Sequence, residues 1–384
     1  MRRRQFLAAA CAASAGLAPG PGRAEDAWVM PPRMERPDVA TDEGGLWALM
    51  DREEAKLRRS PFAIRDAELR SYVQEIICRL AGDHCPDVRV YLVRNRYFNA
   101  NMAPNGMMQV WSGLMLRVDN EAQLAAVLGH EIGHYLQRHS IDTFRDARSR
   151  SAFGVFLGMF GVIGLVGQLA SVAGAFANSR GNELQADRIG LSLMSKAGYD
   201  PAEAAKVWEN LLLEAKANPA GDPTKNSPMF ATHPPMADRK DTLAQLAAAL
   251  PRGVTNEKTW QEKTAPYRRE WLNEEVKRGQ FEESIALLSR LMQRSPEQPD
   301  FVCARADVYR MRSSDTDLNA ALADYQAAIA LGGEPPEAHR GMGMIYRQRD
   351  QPAETKKSFT RYLQLAPEAP DSAMIKNYLE ELGA

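Results

Sequence analysis

The pentapeptide His130-Glu131-Ile132-Gly133-His134 constrains this chain more than any other feature. Histidines at i and i+4 share a face only on a helix, where they stand one turn apart. Both imidazoles then reach a single metal ion, with Glu131 beside it. Leu124, Val127, Leu128, Ile132 and Leu136 recur at helical spacing around the motif, and Asp119 or Asn120 is placed to cap the helix start. The further small and apolar residues Ala125, Ala126, Gly129 and Gly133 predict burial on most sides. Buried histidines and a buried carboxylate need partners, and a metal supplies them.

A catalytic zinc site wants a third protein ligand and an open position for water. Asn182-Glu183-Leu184-Gln185-Ala186-Asp187 offers Glu183 as that ligand, with Asp187 one turn later on the same helical face. Asp187 is then placed to accept a hydrogen bond from the outer nitrogen of a zinc-binding histidine and so fix its tautomer. Alone, Glu-x-x-x-Asp is a common exposed pattern. Downstream of His-Glu-x-x-His it reads as the completion of a metal centre with one zinc ion per chain.

The start of the chain reads as an address. Arg2, Arg3 and Arg4 precede an Ala-rich apolar run, and Gly22-Arg23-Ala24 offers a small-x-small cleavage site. Residues 1–24 are thus expected to be a signal peptide of twin-arginine type, which places the mature chain in the periplasm. A Pro-rich and charged leader follows over 25–44. Apolar spacing from Leu46 to Leu80, broken near Ser60-Pro61, predicts two helices, and Val88–Val93 and Met107–Trp111 read as strands around the Pro104-Asn105-Gly106 turn. Helices with one small sheet describe an α+β domain, expected over 45–250.

Residues 152 to 177 are uncharged and long enough to cross a bilayer. A single crossing would put the two halves of the metal site on opposite sides of the membrane, so the stretch is expected to be a helical hairpin, buried or touching a membrane surface. Beyond a linker expected at 251–267, the chain repeats every 34 residues: Pro299, Gly333 and Pro367; Leu291, Tyr325 and Phe359; Leu287, Ala321 and Thr355. That period is the one of tetratricopeptide repeats, stacked helix pairs that bind partners, and places an all-α domain at 268–384. Tyr309 and Tyr346 lie 37 apart, which predicts a three-residue insertion at Ser313-Ser314-Asp315-Thr316.

Forty-eight basic residues against 49 acidic ones leave a net charge of −1 and no electrostatic case for nucleic acid as a partner. Four cysteines are too few for a disulfide scaffold. Cys78 and Cys85 are close enough to pair in an oxidising compartment, or to stay as free buried thiols. His84, His139 and His339 have no motif around them and read as structural or exposed.

The chain resembles the zinc metallopeptidase family of the CAAX prenyl protease, and within it the periplasmic β-barrel assembly-enhancing type with C-terminal tetratricopeptide repeats. The likeness covers about residues 45 to 250. It rests on Asn99-Ala100 with Pro104 and Gly106, on Leu128–His134, on Glu183 to Asp187, and on Thr232-His233-Pro234-Pro235 with Arg239. It implies a mainly helical, zincin-like domain with zinc held by His130, His134 and Glu183, and Glu131 as general base in peptide-bond hydrolysis. His233 and Arg239 follow as candidates for stabilising the oxyanion; His233 alternatively serves as a fourth ligand that plugs the resting enzyme. Unfolded or stalled envelope proteins are the implied substrates, and the repeats would bring partners or tether the enzyme to an assembly machine. An extended peptide is expected to add to the sheet at Met107–Trp111. The rival reading is a chaperone or adaptor that acts through its repeats around a vestigial zinc site. An intact Glu131 argues against it, because an adaptor has no use for a general base.

Overall fold

The computed structural model describes residues 28–149, 179–218, 229, 233 and 238–383. Two compact units divide the chain, Met1–Pro31 and Pro32–Ala384, and the second holds every helix and strand described. The expected signal at 1–24 and the uncharged stretch 152–177 lie outside the described residues. Among the described residues, no helix is long and apolar enough to cross a membrane.

Helices α1 (Asp42–Arg59) and α2 (Ala67–Ala81) part at Ser60-Pro61, where the sequence predicts the break. Thr41 caps α1 by accepting from the Gly44 N–H, so that helix starts inside the expected leader, with Asp42 and Glu43 favourably placed in its first turn. Between the two helices runs the short strand β1 (Ala63–Ile64), and a 3-10 turn, Gly82–Asp87, follows α2. A disulfide joins Cys78 to Cys85 across that junction.

Strands β2 (Arg89–Val93), β3 (Ala100–Met102) and β4 (Met107–Trp111) complete a sheet of order β1-β2-β4-β3. β4 pairs parallel with β2, Leu92 facing Val110, and antiparallel with β3, Asn101 facing Gln109. The expectation that Met107–Trp111 offers an open edge is therefore corrected: β4 is hydrogen-bonded on both sides, and the edge belongs to β3. Three residues with a polar centre carry too little alternation for β3 to be read as a strand.

Helices α3 (Ser112–Arg117), α4 (Glu121–Leu136), α5 (His139–Ser149), α6 (Arg180–Lys196), α7 (Glu203–Lys216) and α8 (Arg239–Ala248) complete an α+β arrangement in which α3 and α4 lie against the sheet, α6 and α7 pack on α4, and α8 packs on α6 and α7. The C-terminal part is helical: α9 (Glu257–Val276), α10 (Phe281–Arg294), α11 (Pro299–Arg312), α12 (Asp315–Ala330), α13 (Pro336–Gln348), α14 (Pro352–Leu365) and α15 (Ser372–Glu381). The stretch expected as a linker, 251–267, is mostly the first half of α9. Pro266 sits inside that helix without ending it, because Trp260 and Trp271 on either side are buried and Trp260 Nε1 donates to the Val118 carbonyl.

At 313–316, where the sequence predicts an insertion, α11 ends and α12 begins. Ser314 caps α12 in a reciprocal pair with Asp317, and Tyr325 lies in the core formed by α11, α12 and α13. Arg117 ties the two parts together from a fully buried position. Its Nε donates to Glu214 on α7 and its Nη2 to Glu275 on α9, both at 2.8 Å.

Candidate metal centre

Asn120 caps α4 by accepting from the Gln123 N–H, and nearly every residue of the helix is buried, as the sequence predicts. Ser179 caps α6 in the same way through the Asn182 N–H, four residues before Glu183. The two helices then cross with almost no side chain between them. A Cβ on Gly129 would stand 3.2 Å from the Gly190 carbonyl, one on Gly133 3.0 Å from the Ala186 carbonyl, and one on Gly190 3.0 Å from the His130 nitrogen. This seam of small residues lets Glu183 and Asp187 reach the histidines of α4, which is why residues some fifty positions apart meet.

His130, His134, Glu183 and His233 converge, each offering one ligating atom, and these atoms all lie within 4.8 Å of one another. His130 Nε2 is 3.0 Å from His134 Nε2 and 3.3 Å from His233 Nδ1. Glu183 Oε1 is 3.0 Å from His233 Nδ1 and 3.3 Å from His134 Nε2. Zinc–ligand bonds of ~2.0–2.1 Å in a tetrahedron imply edges of ~3.3 Å, so these separations fit a zinc-sized cation. The charges argue the same way. Glu131, Glu183 and Asp187 are all buried, with Arg239 as the permanent cation among them, and a divalent ion would supply the missing positive charge.

Burial pushes His134 down to about 3, keeping its imidazole neutral with a free lone pair. Burial raises the Glu183 carboxyl, but the charge of His233 and hydrogen bonds from His134 and His233 outweigh it and hold the group far below its ordinary value. Burial also opposes protonation of His233, yet the charges of Glu183 and Glu131 overcome it and raise that pKa. Glu131 is raised chiefly by burial. Its Oε1 is buried without a hydrogen-bond partner, 3.4 Å from His233 Nε2.

The outer nitrogens are engaged too. His130 Nδ1 donates to Asp187 Oδ1 at 2.9 Å, the partnership the sequence predicts. Arg239, buried and stacked 3.8 Å from the Trp208 ring, donates Nε and Nη2 to the two oxygens of Asp187 and Nη1 to Glu183 Oε2. All three of its nitrogens are thus spent behind the carboxylates. The His233 N–H donates to the Met229 carbonyl. His139, set aside in the sequence, lies against His134 with its Nδ1 2.8 Å from His134 Nδ1. The only signal for it was its position five residues beyond the motif.

Residues 63–247 match the model of peptidase family M48. The chain is 26% identical over 409 residues to the beta-barrel assembly-enhancing protease of Yersinia pestis, a match covering 91% of this chain and 81% of that one. It is 29% identical over 237 residues to the beta-barrel assembly-enhancing protease of Escherichia coli K12, covering 55% and 47%. It is 32% identical over 156 residues to the mitochondrial metalloendopeptidase OMA1 of Arabidopsis thaliana, covering 41% and 31%. The chain spans about half the length, or less, of most of the curated relatives it matches.

Proposed function

Residues 63–247 are a peptidase family M48 domain, and from that premise we propose that the chain is a zinc-dependent endopeptidase acting on unfolded or stalled envelope proteins. The observation that carries this reading is the buried Glu131 oxygen, free of any hydrogen bond, beside a four-residue cluster of metal-ligand geometry. A zinc ion held by His130, His134 and Glu183 would polarise the scissile carbonyl and lower the pKa of the attacking water from about 15.7 to about 7.

Glu131 takes the proton of that water at Oε1 and returns it to the leaving amine. Burial raises its pKa, which favours a carboxyl that holds the proton between the two transfers. Asp187 holds the His130 ring, and Arg239 holds Asp187 and Glu183 together. That geometry supports a positioning role for Arg239 in place of the oxyanion role its sequence position suggests. With His233 Nδ1 beside His130 Nε2 and Glu183 Oε1, four protein groups would close the centre around a bound ion, so His233 is the plug that must withdraw to admit substrate. His233→Ala is then expected to raise basal activity with the metal retained; a fall in kcat with unchanged metal content would instead assign His233 as a donor to the intermediate.

The substrate strand lies along β3. The Trp111 N–H donates to the Asn99 carbonyl and the Ala103 N–H to the Met107 carbonyl. By alternation, the main-chain groups of Ala100 and Met102 face the open edge. Pairing through main-chain groups accepts many sequences, which suits unfolded clients. The helix pairs of 268–384 are tetratricopeptide-like repeats that recruit envelope partners, and the leader and signal assign the periplasm. Casein degradation by the wild type, lost in Glu131→Gln and on chelation, tests the activity. Equal degradation by Glu131→Gln refutes it, and no degradation by either returns the chain to the adaptor reading.

A further inference from the structure

Two histidines of the cluster are held from behind in different ways. Asp187 takes the outer nitrogen of His130, whereas His134 has a neutral ring as its partner. His134 Nδ1 lies 2.8 Å from His139 Nδ1, His139 Nε2 lies 3.1 Å from Gln185 Oε1, and Gln185 Nε2 donates to Gln137 Oε1 at 3.0 Å. His134 and His139 are both buried.

The proton positions along this chain follow from its ends. His134 Nε2 faces His130 Nε2 and Glu183 Oε1, so ligation requires a bare lone pair there and places the His134 proton on Nδ1. That N–H must find an acceptor, and His139 Nδ1 is the one within reach. A neutral imidazole that accepts at Nδ1 carries its own proton on Nε2, where the Gln185 carboxamide oxygen receives it. One proton order then runs along the chain: His134 donates to His139, His139 to Gln185, and Gln185 to Gln137.

The backbone is bent to make this contact. Arg138 adopts φ +60°, a left-handed conformation uncommon outside glycine. Occurring between α4 and α5, this turn brings the first residue of α5 back onto the last turn of α4. Strain of that kind persists where the surroundings require it.

We propose that His139 is a positioning residue for the metal centre: it fixes the tautomer and orientation of His134, with Gln185 fixing His139 in turn. The proposal rests on the metal-binding reading above. It also assigns Gln185 a place in the same helix turn as Glu183 and Asp187, so that α6 supplies one ligand, anchors the outer nitrogen of His130 through Asp187, and holds that of His134 at one remove, through His139.

Zinc affinity, measured by competition with a chromophoric chelator, tests the assignment independently of turnover. Removing an outer partner of a metal-binding histidine typically costs 10–100-fold in affinity, so His139→Leu is expected to raise the zinc Kd by about that factor. His139→Asn should restore most of the loss, because its amide oxygen can stand near the position of the ring Nδ1 and accept the same proton. Gln185→Leu, which leaves His134 and His139 intact, should fall between wild type and His139→Leu, and covers the case in which His139→Leu does not fold. Nitrogen-15 shifts of zinc-loaded protein should report His134 protonated at Nδ1. Wild-type affinity in His139→Leu or in Gln185→Leu overturns the proposal, as does an equal loss in His139→Leu and His139→Asn, which would mark a merely structural residue. A wild type that binds no zinc sinks the metallopeptidase reading first and this proposal with it.

Discussion

Gly190→Ala probes the helix crossing on which the metal site depends. The added Cβ would stand 3.0 Å from the His130 nitrogen, 3.1 Å from the Gly129 carbonyl carbon and 3.3 Å from the His130 Cα. All three are backbone atoms, so no side chain can turn aside, and relief requires α6 to move off α4 by a few tenths of an ångström. Overpacking of this kind costs about 1–3 kcal/mol, while replacing glycine in a helix interior returns about 1 kcal/mol. The net expectation is a loss of about 0–2 kcal/mol. The chain carries its own control in Gly45, inside α1, where an added Cβ meets nothing within 4 Å; Gly45→Ala should gain about 0.5–1 kcal/mol. Denaturant titrations of the two variants should therefore diverge by about 0.5–3 kcal/mol, with Gly45→Ala the more stable. Because the displaced helix carries Glu183 and Asp187, Gly190→Ala should also weaken zinc binding, whereas Gly45→Ala should not. Equal stabilisation by both substitutions with unchanged zinc affinity would refute the claim that backbone contact sets the ligand spacing.

Arg239→Ala leaves Glu183 and Asp187 buried without their shared cation, and should cost about 3–5 kcal/mol in the metal-free protein; a loss under 1 kcal/mol by denaturant titration would contradict the pairing. Burial raises the Glu54 carboxyl, but hydrogen bonds from Arg89, Tyr91 and Arg58 more than offset this and hold it at about 2 against an ordinary 4.5. With the folded value depressed, that stabilisation is complete above pH 4.5 and is lost as the pH falls towards 2. Glu54→Gln should flatten the stability profile in that window, and an unchanged slope would count against it. The disulfide spans a sequence separation of 7, for which loop closure predicts about 2 kcal/mol; the Cys78→Ala, Cys85→Ala double variant should lose that much, and no loss would assign the pair no stabilising role.

Much of the centre was legible because each piece is local. Two histidines four apart, a carboxylate pair four apart, and a capping residue before α4 are patterns a single helix writes into its sequence, and they put His130 with His134, and Glu183 with Asp187, each on one helical face. What brings the faces together was less visible. Gly129, Gly133 and Gly190 have meaning only when the two helices are known to cross, since a glycine in isolation signals flexibility as readily as contact. His139 was missed because its contact depends on the left-handed turn at Arg138, and non-glycine residues give no warning of such turns. β3 was missed because three residues cannot display alternation, which also misassigned the open edge. Arg117, with partners 97 and 158 residues away, could not be read from any window, and the continuity of α9 through Pro266 depends on tryptophan burial that composition alone does not reveal.

Metal content of purified wild-type protein and of Glu183→Ala, determined by elemental analysis after equilibration with limiting zinc, tests the central claim most directly. One zinc per wild-type chain, with most of it lost in Glu183→Ala, is the predicted result, because the ion depends on a carboxylate that only the α4–α6 crossing brings to the two imidazoles. Equal zinc in both proteins, or none in the wild type, would contradict the account.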